Sequence, residues 1–215
     1  MFNHCNWQGK KNSSIFILSN AFLMKNLIYI IAGFFLITSF KADKTITIDK
    51  TEAQKAFALL LKIRANPALY SKQLHFSKNL AVSKTKLVWN DTLAKVAEAK
   101  AYDMANRDYF GHTDPDGYGI NYYINKSGYK LDPNWLSNKA DNFFESIAAN
   151  NVNGEAAIKA LIIDQGQSFA GHRDHLLGIG EWNTSLVDIG IGFSECPSGS
   201  SFQTYTCVII AKHNY

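Results

Sequence analysis

The chain holds few cysteines: three in 215 residues, Cys5, Cys196 and Cys207. With so few, a cysteine-built metal site is the weaker reading of the late pair. Acidic residues are missing from positions 1–42, where Lys10, Lys11, Lys25 and Lys41 stand unopposed. That asymmetry accounts for the whole net charge of +4, because the body then carries 18 basic against 18 acidic residues. A neutral body argues against a nucleic-acid partner. The apolar run from Leu27 to Ile37 falls short of the roughly 20 residues a membrane span needs. Neither His-Glu-x-x-His nor Gly-x-Ser-x-Gly occurs, which removes the sequence signatures of a zincin peptidase and an α/β-hydrolase. Internal repeats and low-complexity tracts are absent too. What is present, 47% hydrophobic and 19% charged residues, describes a globular domain.

The basic leader has the shape of a secretory signal. Met24-Lys25-Asn26 supplies a cationic start, Leu27–Ile37 an apolar stretch, and Ala42 a small residue at the expected cleavage point. Phe40 departs from the small residue preferred at minus three, so an uncleaved N-terminal anchor is the alternative. Residues 24–42 are thus read as a signal peptide and 1–23 as an over-extended start. Residues 43–50 are a linker or edge segment, and 51–215 the domain. An exported chain without a stable membrane span after cleavage is expected. In an oxidising compartment Cys196 and Cys207, flanking the turn-rich Pro197–Ser201, predict a hairpin disulfide.

Along the body, Thr51-Glu52-Ala53-Gln54 has capping-box spacing ahead of an apolar stripe through Ala53, Ala56, Phe57, Leu60 and Leu61. Pro67 ends that helix by pushing Asn66 out of the helical region. Asn90 or Asp91 caps a second helix with Leu93, Val96, Ala97, Ala101, Met104 and Ala105 on its buried face. Further helices are predicted over 119–128 and 155–163, and paired strands over 186–193 and 202–211. Segments 68–86 and 131–141 read as loops. Helices followed by late antiparallel strands predict an α+β fold with helices layered on a sheet.

Three residues at element edges stand out. His112 lies between a helix end and the Asp114-Pro115-Asp116-Gly117 turn, Glu145 within the apolar run 143–149, and His172 in Gly171-His172-Arg173. Two imidazoles and a carboxylate are a common donor set for a zinc-like ion, and equally a general acid–base set. Taken singly, each is as readily structural, and Glu145 could simply pair with Arg173.

The order of phrases resembles the CAP superfamily: cysteine-rich secretory proteins, antigen 5 and pathogenesis-related protein 1, the SCP domain. It is nearest to the short bacterial members. Arg64-Ala65-Asn66-Pro67, Leu87-Val88-Trp89-Asn90, Phe110-Gly111-His112 with Asp114-Pro115-Asp116-Gly117, Phe144-Glu145-Ser146-Ile147-Ala148 and Gly171-His172-Arg173-Asp174-His175-Leu176-Leu177 follow the family's order. The resemblance implies a three-layer α-β-α sandwich with an antiparallel sheet, and a cleft carrying His112, Glu145 and His172. It also implies a further acidic residue, for which Asp164 is the candidate. Phe144 and Ser146 depart from the family's Gly and Asn, and His175 stands where Asn is usual.

The function expected is an exported CAP-like domain whose cleft holds a divalent metal, zinc before calcium, through His112, Glu145 and His172. Its partner would be an extracellular small molecule, lipid or peptide, contacted by Asp164, His175, Tyr122 and Tyr123. One alternative is a metal-assisted hydrolase with Glu145 as base. The other is a lipid or sterol module whose groove is lined by Tyr118, Tyr122, Tyr123, Tyr129 and Trp135.

Overall fold

The computed structural model describes residues 44–166 and 170–213; the signal-peptide reading lies outside them. Five strands form one sheet: β1 (Thr47–Ile48), β2 (Val88–Trp89), β3 (Glu145–Ala149), β4 (Asp188–Glu195) and β5 (Thr204–Ala211). The order is β1-β4-β5-β3, antiparallel throughout, with β2 added in parallel to the start of β4. The helices are α1 (Lys50–Ala65), the short α2 (Pro67–Tyr70), α3 (Asp91–Arg107), α4 (Ile120–Lys126), α5 (Gly154–Ile163), α6 (Gly171–Leu177) and α7 (Gly180–Thr184). Thr47–Ile48 takes the edge-segment alternative by pairing with Ser194 and Glu195.

Helix α1 starts earlier than its capping-box spacing suggests. Asp49, not Thr51, is the cap, its Oδ1 accepting from the amides of Thr51 and Glu52. Glu52 is thereby free to accept from the Gly154 amide at 3.0 Å, which ties the start of α1 to the start of α5. Helix α3 begins as expected, with Asn90 Oδ1 accepting from Thr92 and Leu93.

Strand register separates the two faces of the sheet. Glu145 opposes Ile209 and Ile147 opposes Cys207, while Gly190 and Gly192 oppose Ile209 and Cys207, so all share one face. That face meets α3. A Cβ on Gly190 would lie 2.2 Å from the Leu93 and Ala94 backbone, and one on Gly192 2.3 Å from Ala97. The two glycines let the sheet touch the helix backbone itself. Ser146, Val208 and Ile210 turn to the other face, where His175 of α6 meets Ser146. The result is the helix–sheet–helix sandwich, with β3 as an edge strand beside the cleft.

The same register corrects the disulfide expectation. The hairpin forms, but Cys207 pairs with Gly192, four positions along β4 from Cys196. At about 3.4 Å per residue the two α-carbons are held far beyond the roughly 7 Å a disulfide can bridge. Both cysteines are buried free thiols.

Candidate functional site

His112 is placed by the end of α3. Lys100, buried on the same stripe as Ala97, Ala101 and Met104, donates to the carbonyls of Gly111 at 2.8 Å and His112 at 3.2 Å, and to the Tyr109 hydroxyl. A cation on an apolar stripe is tolerated only with such acceptors. The following turn is clamped from inside by Asp114, which accepts from the amides of Asp116 and Tyr118, both at 2.9 Å, and from the Tyr123 hydroxyl. Burial alone would raise the Asp114 carboxyl, but the Tyr123 hydroxyl, those amides and Arg107 together hold it below the usual carboxylate range. Arg107 also bonds Asp103 and Asp116, each at 2.6 Å.

Glu145 opens β3 and its side chain is fully buried, whereas that of His112 is 43% exposed. Glu145 Oε2 lies 2.8 Å from His112 Nδ1. Its Oε1 accepts from the Cys207 thiol at 3.4 Å. Burial, reinforced by the Glu145 charge, keeps that thiol protonated well above its ordinary value. Glu145 does not pair with Arg173, which donates instead to the carbonyls of Ile162 and Ile163 at the end of α5.

His172 stands in the first turn of α6. Asp164, the left-handed C-cap of α5 with φ 52°, reaches it twice: Oδ1 lies 2.8 Å from Nδ1, and Oδ2 accepts from the backbone amide at 3.0 Å. The two imidazoles thus face each other, ring centres 6.4 Å apart, each backed by its own carboxylate. In both, Nδ1 is engaged, and Nε2 is the nitrogen left for a ligand.

His112, Glu145 and His172 line a cleft of about 470 Å³ together with Asn142, Asn183, Phe143 and Trp182. Phe143 and Trp182 are 43% and 37% exposed and pack on each other, on Phe144 and, through Trp182, on Trp135, so one wall is aromatic. Tyr122 and Tyr123 do not line this cleft. They stack with Tyr118, and Tyr123 faces a separate groove of about 750 Å³ between α3 and α4, shared with Val96 and Ile48.

Among the described residues no three His, Cys, Asp or Glu side chains are disposed to hold an ion together. Glu145 stands behind His112, both its oxygens engaged, and Asp164 stands behind His172 in the same way. What the residues offer is a pair of imidazole donors with carboxylates fixing their tautomer and orientation, the usual outer arrangement around metal-binding histidines. The buried, doubly occupied Glu145 is poorly placed to activate a water.

His175 lines the floor of the cleft with Ser146 and is buried, its Nδ1 2.8 Å from the Ser146 hydroxyl and its Nε2 donating to the Ile210 carbonyl at 3.4 Å. Two of the three departures from the family phrases, Ser146 and His175, therefore bond to each other. Burial lowers the His175 pKa from 6.5 to about 4, against a smaller opposing effect of the Ile210 carbonyl. Below pH 6.5 the unfolded chain takes up a proton that the folded one refuses. His175 thus stabilises the fold fully above that pH, and its contribution of about 3 kcal/mol is lost as pH falls toward 4. Urea unfolding at pH 7 and pH 4.5 should show His175→Asn losing about 2 kcal/mol less than the parent over this interval. Parallel losses would contradict the assignment.

Lys100, Cys207, Phe143 and Trp182 carry no motif that marks them as site residues in the sequence. Lys100 alone leaves a signal, a lysine in step with the buried alanines of α3.

A family model, the cysteine-rich secretory protein family (CAP), matches residues 71–209. Among solved structures, an outer surface protein from Borrelia burgdorferi is similar at 17% identity and a TM-score of 0.50, over 79% of this chain and 99% of that one. An extracellular protein containing an SCP domain from Bacillus anthracis str. Ames matches at 22% identity and a TM-score of 0.47. That match covers 76% of this chain but only 41% of the Bacillus protein's length. No curated protein matches the chain.

Proposed function

We propose, from the premise that this chain belongs to the CAP family of cysteine-rich secretory proteins, that it is an exported binding domain whose cleft takes a zinc-like divalent ion between His112 and His172. The observation that carries this reading is the matched pair of 2.8 Å contacts from Nδ1 to a buried carboxylate, Glu145 on one side and Asp164 on the other. Each carboxylate orients its imidazole and fixes which nitrogen is free. The bound ion would offer a Lewis-acidic point for an oxygen of an extracellular ligand. The ligand's apolar part would lie against Phe143 and Trp182, and its polar part near Asn142 and Asn183.

Two imidazoles select zinc-like metals over calcium, which prefers six to eight oxygen ligands. Calorimetric titration of chelator-treated, tag-free protein should give saturable uptake of one zinc ion and no calcium uptake. Equal binding of both, or of neither, would remove the proposal. Within the described residues no helix is long and apolar enough to cross a membrane, which agrees with a domain outside the bilayer.

The α3–α4 groove favours a second reading, a lipid or sterol site. It is lined by the apolar Ile48, Val96 and Ala99 with Tyr102 and Tyr123 at its sides, and it needs no metal.

A further inference from the structure

We infer that Arg64 is the binding residue of a buried site for a small inorganic anion of chloride size, enclosed between the end of α1, Ser83 and the C-cap of α6. Arg64 lies in the last turn of α1 and is 5% exposed. None of its three guanidinium nitrogens has a hydrogen-bond partner among the described residues. Its guanidinium N–H donors are thus withdrawn from water with nothing to receive them. Buried polar groups in folded proteins are nearly always satisfied, and a charged one left bare is among the costliest defects a fold can carry.

Arg64 forms no ion pair with any described residue. Shedding the proton gives no escape, since burial draws the guanidinium down only to about 10, leaving it charged at neutral pH. None of the described residues supplies a negative partner.

The surroundings limit its size. Gly178, the α6 cap at φ 67°, lies so close that a Cβ there would meet Arg64 Nη2 at 2.0 Å and the Ser83 Cβ at 2.6 Å. The guanidinium occupies the space a side chain at 178 would need. Neither of the two clefts described above is lined by Arg64. Ser83 is buried and its Oγ accepts from the Thr85 amide, which leaves its hydroxyl hydrogen to donate toward the same anion. Such an ion would pin the end of α1 to the cap of α6, the helix whose other end carries His172. This site is independent of the metal proposed in the cleft.

The test uses the folded, metal-free protein. Thermal unfolding is followed while sodium gluconate is exchanged for sodium chloride at constant ionic strength. A saturable rise in Tm of roughly 5–10 °C is expected by about 100-fold excess over the dissociation constant. Arg64→Met should fold, since it removes an unpaired buried charge, and should lose the chloride dependence. Crystals grown in bromide should show an anomalous peak within hydrogen-bonding distance of the Arg64 guanidinium. The crystal alone decides if the variant does not fold. An anion-insensitive Tm with only water beside Arg64, or a chloride effect undiminished in Arg64→Met, would overturn the inference.

Discussion

Replacing His172 with alanine should weaken zinc binding by more than about 100-fold, and Asp164→Asn should weaken it by roughly 10–100-fold with the fold intact. The two changes act on one imidazole from opposite sides. His172→Ala deletes the donor. Asp164→Asn leaves the donor but removes the negative charge 2.8 Å behind it, so the imidazole is less firmly held in its donor orientation. Asparagine suits this position because Asp164 caps α5 in the left-handed region at φ 52°, where Asn is tolerated nearly as well. Its amide oxygen can still accept one hydrogen bond, so the loss reports charge rather than collapse. Titration against a competing chelator, beside unfolding curves for each variant, checks both. If Asp164→Asn bound zinc as the parent does, the carboxylates would be structural and the paired arrangement would lose its meaning.

Gly192→Ala, and likewise Gly190→Ala, should destabilise the fold by about 3 kcal/mol or more. The added methyl would sit 2.3 Å from the Ala97 backbone, or 2.2 Å from that of Leu93 and Ala94. No rotamer relieves a clash with a main chain; only moving α3 off the sheet does. For a domain this size the melting point should drop by roughly 6–12 °C. The displaced helix would also shift Lys100 and hence His112, so metal affinity should fall with stability. Gly171→Ala is the control: nothing lies within 4 Å of a Cβ there, and its melting point should barely move. Equal behaviour of Gly192→Ala and Gly171→Ala would show that the sheet–helix contact is looser than described.

The parts of this design legible in the sequence are those with local causes. Asn90 capping α3, Pro67 closing α1 and the alternating strand with glycines at 190 and 192 each follow from the residue's own chemistry. His112, Glu145 and His172 are legible through phrases in a family-like order and Asp164 as the further acidic residue that order implies, and the structure places them in two pairs. What stays hidden depends on distant partners. Glu145–Ala149 lacks alternation because β3 is buried on both faces, so it shows no strand period. A hairpin puts Cys196 and Cys207 in neighbouring strands, but only register shows them four positions apart. Lys100 resembles any solvent-facing lysine until the carbonyls of Gly111 and His112 are seen folded over it. The aromatic wall differs for the same reason: Tyr122 and Tyr123 follow His112 closely in sequence, whereas Phe143 and Trp182 converge on it in space.

The central claim is that His112 and His172 share one ion through their free nitrogens while Glu145 and Asp164 hold them from behind. The most direct measurement is a crystal of zinc-loaded protein with anomalous maps recorded on both sides of the zinc edge. The account predicts one strong peak about 2.0–2.1 Å from Nε2 of each histidine, with Glu145 still on Nδ1 of His112. A peak at Nδ1 or on Glu145 itself would contradict it, as would an empty cleft at saturating zinc.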